Sequence, residues 1–240
     1  MTARRRRLAL VAAAWAALCL GGTAARAGGL EVAPIGVDFA AGQMAQTITV
    51  ANRATAPATV QVRTFDWSQP GGIDRLSPTD AVVASPPIVT IQPGREQVIR
   101  VLLRRPSAGA AEKSYRLMVE EIPVPVPGQI NLALHLSLPI FVSGATPGQA
   151  KISWSARPAG GGMVELAARN GGARHAKFDG LIISTRGGAA SRAFGGYVLP
   201  GQEKRWRIPL RGLDRAGQIT LRGAGDQGGI DATIALDGSP

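Results

Sequence analysis

From Ile130 to Ile140 an Ile or Leu stands at every second position: Ile130, Leu132, Leu134, Leu136, Leu138 and Ile140. Strand side chains alternate between two faces, so this period puts all of them on one face of a strand about 11 residues long. Asn131, Ala133, His135, Ser137 and Pro139 fall on the other face. One reading is a half-buried core strand. Two features point further. The strand is longer than the usual ~5–6 residues, and Pro139 has no N–H to give to a ladder, which suits an edge or a bulge. A long aliphatic edge strand aggregates unless something pairs with it. One solution is a partner that lacks a strand and takes the alternate side chains into its pockets.

The rest of the chain is also written in short strands. Ala45–Ala51, Thr59–Trp67, Ile88–Ile91, Glu96–Leu103 and Ser114–Glu121 read as strands before the alternating run, which extends to Val142. After it come Lys151–Ser155, Met163–Arg169, Ala176–Thr185, Gly195–Leu199, Lys204–Pro209, Gln218–Arg222 and Ile230–Leu236. Pro70-Gly71-Gly72, Pro93-Gly94, Gly160-Gly161-Gly162 and Pro200-Gly201 punctuate them as turns. This accounts for the 31 Gly and 17 Pro, which show no three-residue period. No amphipathic helix separates the strands, so antiparallel sandwiches are expected rather than alternating βα units. Residues 143–149 have hinge composition. They divide the chain into a first domain, 28–142, and a second, 150–240.

Residues 1–27 read as a secretory signal, not as fold. Arg4 to Arg7 form a positive start, Leu8 to Leu20 an apolar run, and Ala25-Arg26-Ala27 a cleavage site with small residues where they are required. The apolar run has 13 residues, short of the ~20 that span a membrane. The formal charge of +11 then shrinks, because Arg4, Arg5, Arg6, Arg7 and Arg26 leave with the signal and the net becomes +6. The 9 basic and 9 acidic residues of 28–146 cancel, so the excess sits in the second domain. Export and a neutral first domain argue against a nucleic-acid binder. The single Cys, Cys19, lies within the signal, which rules out an intrachain disulfide and a cysteine zinc site. Two His, with no nucleophile elbow and no His-Glu-x-x-His, leave no enzyme signature. No cofactor or metal is expected, and a periplasmic location follows from the signal.

Several stretches carry a resemblance: Leu30–Phe39 (LEVAPIGVDF), Val62–Gln69 (VRTFDWSQ), Leu76–Gly94 (LSPTDAVVASPPIVTIQPG), Gln97–Leu102 (QVIRVL), Tyr115–Pro123 (YRLMVEEIP) and Leu132–Val142 (LALHLSLPIFV). In this order and spacing the chain resembles periplasmic pilus-assembly chaperones of the PapD-like superfamily, in particular the archaic chaperone–usher type. The motifs are specific in the first domain. In the second, the resemblance rests on length and strand pattern. It implies an all-β fold of two immunoglobulin-like sandwich domains joined at an angle. It also implies a function: holding incomplete fimbrial subunits by donor-strand complementation and passing them to an outer-membrane usher. The donor residues carried over are Ile130, Leu132, Leu134 and Leu136. Self-association of free molecules through the same strand is a further expectation. The alternative is a secreted sandwich protein, structural or subunit-like, without chaperone activity.

Classical members of the family grip the subunit's terminal carboxylate with an Arg on the first strand and a Lys on the donor strand. Here those positions fall at Gly36 and Pro139, neither of which can bind an anion through a side chain. A buried carboxylate still needs a cation. Arg100, Arg63 and Arg116 are the candidates in adjoining strands, with Arg100 first because Val-Ile-Arg-Val sets it among strand hydrophobics. His135 reads as a packing or surface residue and His175, after Arg174, as solvent-facing. Trp67 reads as core or hinge packing, and Pro86-Pro87 as a possible cis site.

Overall fold

The computed structural model describes residues 29–123, 133–186, 188, 190–211 and 217–237. The expected signal segment lies outside them, as do Ile130 and Leu132. Among the described residues the chain is all-β apart from one 3-10 turn at Pro70–Gly72. No helix there is long and apolar enough to cross a membrane.

The first domain packs two sheets face to face. One holds β1 (Leu30–Ala33), β3 (Ala45–Asn52), β8 (Glu96–Leu103) and β6 (Val82–Ser85), in that order. The other runs β2 (Val37–Phe39), β10 (His135–Val142), β9 (Lys113–Ile122), β4 (Ala58–Ser68) and β5 (Arg75–Pro78). β7 (Ile88–Ile91) also pairs with β4. Alternation explains the packing. In β8, Ile99, Val101 and Leu103 point inward while Val98, Arg100 and Leu102 face out. Ile48, Val50, Val60, Leu117 and Ile140 meet them in one core. Each fully buried aliphatic contributes roughly 1.5–3 kcal/mol.

The second domain repeats the arrangement. β11 (Ile152–Pro158), β12 (Met163–Asn170) and β15 (Glu203–Pro209) form one sheet. β14 (Ala190–Val198), β13 (Ala176–Thr185), β16 (Gln218–Gly225) and β17 (Gly228–Ala235) form the other. Val164, Leu166, Leu181, Ile183, Ile219 and Leu221 fill the space between them.

The longest expected strand begins later than its alternation suggests: within the described residues it runs from His135, not from Ile130. Four strands escape the sequence pattern. β1, β2, β5 and β6 are only three or four residues long, too short for a period of two to be read. The Ser85–Pro86 bond is cis, as is Ala33–Pro34.

Candidate functional site

β10 has one paired edge and one that is largely open. Its full length pairs antiparallel with β9, from His135↔Glu120 to Val142↔Lys113. On the other side β2 reaches only Ile140 to Val142. From His135 to Pro139 no described strand occupies that edge. Pro139 sits one residue before the β2 ladder begins, where its missing N–H leaves no bond unmade.

The aliphatic face of β10 grades out of the domain. Leu138, Ile140 and Val142 are buried in the first core, while Leu136 and Leu134 are half-buried and pack against its end. Just before the strand, Leu134 gives its carbonyl to the N–H of Glu121 at 2.8 Å. Its own N–H goes to the Glu121 carboxylate at 3.3 Å. The regular exchange of backbone bonds has already lapsed there. Of the four donor residues carried over from the resemblance, Leu134 and Leu136 are thus on this face, and Ile130 and Leu132 lie outside the described residues.

Gly36 and Pro139 come together as their alignment implies: a Cβ on Gly36 would meet the Pro139 Cγ at 3.4 Å. The three candidate arginines lie in different places. Arg100 is exposed on the sheet of β1, β3, β8 and β6, in register with Thr47 and Ser85 and on the side away from β10. Arg63 lies on the same sheet as β10, but its Nε donates to Glu120 at 2.9 Å. That carboxylate also receives His135 at 3.3 Å. The Arg63 hydrogen bond outweighs burial and holds the Glu120 carboxyl below its ordinary value. Arg116 lies on β9, one strand in from the open edge, in register with Pro139 on one side and Phe65 on the other.

Alternation of β4 and β9 puts Arg116 and Trp67 on the face turned to the second domain. The Arg116 guanidinium lies 3.7 Å above the Trp67 ring and 5.5 Å from that of Tyr197. Burial lowers its pKa from the usual arginine value, with Tyr197 and Asp74 opposing the shift. Desolvation of this kind strengthens the attraction to the rings and to any anion that enters. The surroundings are aromatic. Trp67 and Phe141 of the first domain, with Leu199 of the second, form a small buried cluster against which Tyr197 packs. The Trp67 and Tyr197 rings meet edge to face at 5.4 Å. Trp67 therefore packs at the domain boundary.

Further residues make the boundary, and sequence reasoning did not single them out. Gln69 ends the alternating face Arg63–Phe65–Trp67 and is buried, bonded to the second domain. Asp74 accepts from Gln69 Nε2 at 2.8 Å and Trp67 Nε1 at 3.1 Å, and pairs with Lys204. Burial pushes the Asp74 carboxyl up, but the bonds from Lys204, Gln69 and Trp67 win and hold it below its ordinary value. On the other flank, His175 is buried rather than solvent-facing, which corrects the sequence reading. Its Nδ1 lies 2.7 Å from Glu112 of the first domain. Among the described residues no group of three or more His, Cys, Asp or Glu gathers as a metal site would require.

A family model described as pili and flagellar-assembly chaperone, PapD N-terminal domain, matches residues 29–146. No curated protein matches the chain by sequence. Among solved structures, it is similar to a chain of the CsuC–CsuE chaperone–tip adhesion subunit pre-assembly complex from archaic chaperone-usher Csu pili of Acinetobacter baumannii. The identity there is 23%, covering 86% of this chain and 97% of that one, with a TM-score of 0.67. The YadV chaperone is 16% identical over 87% of this chain and 100% of its own, with a TM-score of 0.61. The E. coli chaperone DraB is 20% identical over 86% and 97%, with a TM-score of 0.56.

Proposed function

Since residues 29–146 belong to the PapD-like family of pilus-assembly chaperones, we propose that this chain holds incomplete fimbrial subunits through the open edge of β10 and delivers them to an outer-membrane usher. The observation that carries this reading is the graded face of β10. Its lower half fills the chain's own core, while its upper half is only half-buried at the end of that core and has no described strand on its outward edge. A subunit missing its last strand needs both things this edge offers, a row of backbone partners and a row of aliphatic side chains. Leu134 and Leu136 supply the described part of that row; Ile130 and Leu132 continue it in sequence. Each side chain fully buried in a subunit groove contributes roughly 1.5–3 kcal/mol, so no ATP is required to hold the complex. The likeness to the Csu assembly complex supports the archaic branch, and the signal-like first 27 residues support export to the periplasm.

Arg116 is the cation best suited to receive the subunit's terminal carboxylate. It adjoins Pro139, on the strand next to the classical Lys position, and its guanidinium carbon is seated 3.7 Å over the Trp67 ring. Arg100 is on the wrong sheet for this role, and Arg63 is committed to Glu120.

The test is capture of a subunit co-expressed in the periplasm. Leu132→Glu/Leu134→Glu is expected to fold and to lose capture; retained capture ends the donor-strand reading. Arg116→Ala is expected to weaken capture about 10–100-fold, the value of one charge-assisted hydrogen-bonded pair, while Arg100→Ala leaves it unchanged. Equal capture by Arg116→Ala and wild type removes the anchor assignment alone.

A further inference from the structure

Gln69 is 2% exposed, yet its side chain is a primary amide whose polar atoms all need partners. Its Oε1 accepts from the backbone N–H of Leu199 at 2.9 Å. Its Nε2 donates to the carbonyl of Tyr197 at 2.7 Å and to Oδ1 of Asp74 at 2.8 Å. Its own backbone N–H donates to Oε1 of Gln202. The Tyr197 carbonyl and the Leu199 N–H, two residues apart at the end of β14, are the acceptor and donor that a neighbouring strand would engage. A side-chain amide carries the same donor and acceptor as a peptide group. Because a primary amide can turn an N–H and its oxygen to the same side, Gln69 stands in for the N–H and C=O of one residue of a strand that is not there, and it does so from the other domain.

No other residue type fits. Glu lacks the donors, Asn is one methylene short, and an apolar side chain leaves a carbonyl and an N–H buried without partners. The neighbouring Lys204–Asp74 ion pair also crosses the boundary. Its ammonium side chain is 17% exposed and its carboxylate side chain 46%, so water partly screens the pair and its contribution is modest.

We infer that Gln69 is the positioning residue that fixes the second domain on the first, and through Tyr197 the seat of Arg116. The Tyr197 carbonyl is held by Gln69, the Tyr197 ring meets Trp67 at 5.4 Å, and Trp67 carries the Arg116 guanidinium. Joined domains swing unless something stops them; on the flank away from the His175–Phe141 stack, this amide is the stop. The first half of the inference stands on the domain contact alone. The second half deepens the anchor role proposed above and rests on it.

The experiment measures distances between spin labels in the full chain with Cys19→Ser. One pair spans the boundary, Val98→Cys with Thr233→Cys. The control pair lies within the second domain, Arg192→Cys with Thr233→Cys. All three positions are exposed. With Gln69 intact, both pairs give one narrow distribution. Gln69→Ala and the shape-conserving Gln69→Glu are expected to broaden the spanning distribution at least about twofold, as freed domains do, and to leave the control pair narrow. Lys204→Ala leaves both narrow. A spanning distribution that stays narrow in Gln69→Glu overturns the inference, as does equal broadening of the control pair. The distances are read with no subunit present, so they stand whether or not the chaperone reading survives its own test.

Discussion

The imidazole of His175 lies flat on the ring of Phe141, with centroids 3.5 Å apart and planes 9° from parallel. Phe141 is near the end of β10 in the first domain, and His175 immediately precedes β13 in the second. The stack therefore joins β10 directly to the neighbouring domain. Glu112 completes it, accepting at one oxygen from the His175 ring at 2.7 Å and the His175 backbone N–H at 3.2 Å.

His175→Ala should destabilise the protein by about 3 kcal/mol, because it leaves the Glu112 carboxylate buried without its side-chain partner. Both side chains are under a tenth exposed. His175→Asn places an amide nitrogen near the position of Nδ1 and should recover part of the loss. Urea unfolding of the two variants measures this. A loss below about 0.5 kcal/mol, the scale of ordinary surface substitutions, would show that the stack is incidental.

The two ends of β10 should respond differently to truncation. Leu138 is 5% exposed and packed in the first core, so Leu138→Ala should cost about 2–5 kcal/mol. Leu134 is half-buried at the end of that core, and Leu134→Ala should cost clearly less in the chain alone. If Leu134 enters a subunit groove as proposed, the order should narrow in the complex, where that side chain is enclosed as well. Thermal melting of the free chain and of the complex reads both.

Asp74 sets an acid limit on the domain contact. Its carboxyl is held below the ordinary value when folded, so the unfolded chain binds the proton more readily. The stabilisation is fully present above the ordinary Asp value of about 3.9 and fades as pH falls through the lower folded value. Asp74→Asn should therefore differ from wild type at neutral pH and converge on it in acid. A stability gap that is constant from neutral pH down through that range would contradict the assignment.

Much of the fold is legible in the sequence because each long strand carries its own period. Glu96–Leu103 and Ala176–Thr185 match their expected bounds; the four-residue Ile88–Ile91 does so through its unbroken run of β-branched residues rather than a period. The alternation around Leu134 and Leu136 likewise shows which face they share. The boundary between the domains is not legible in this way. Arg116 and Arg100 both sit at outward positions of regular strands, and only the pairing of sheets shows that one faces the second domain and the other faces away. His175 follows Arg174 in a turn-like, basic stretch, which says nothing of the Phe141 ring that the fold brings over it. Gln69 had a readable signal in the face Arg63–Phe65–Trp67–Gln69, but its partners lie about 130 residues away, between Tyr197 and Gln202.

Asn52 and Asn170 hold equivalent corners of the two domains, and their loss should be felt in different places. Each ends a strand, is fully buried, and folds its side chain into a following turn. Asn52 donates to the carbonyls of Ala56 and Ile91 and accepts from the N–H of Ala54. Asn170 donates to those of Arg174 and Val198 and accepts from Gly172 and Lys151. Substitution by Ala orphans these backbone groups at about 1–3 kcal/mol for each one left without water. Asn52→Ala should weaken the first domain alone. Asn170→Ala should also loosen the domain contact, because Val198 lies between Tyr197 and Leu199, the two residues that Gln69 grips. Hydrogen exchange resolved by residue separates the cases: faster exchange at the Leu199 amide is expected in Asn170→Ala and not in Asn52→Ala. Equal protection of Leu199 in both would show that the corner and the contact are independent.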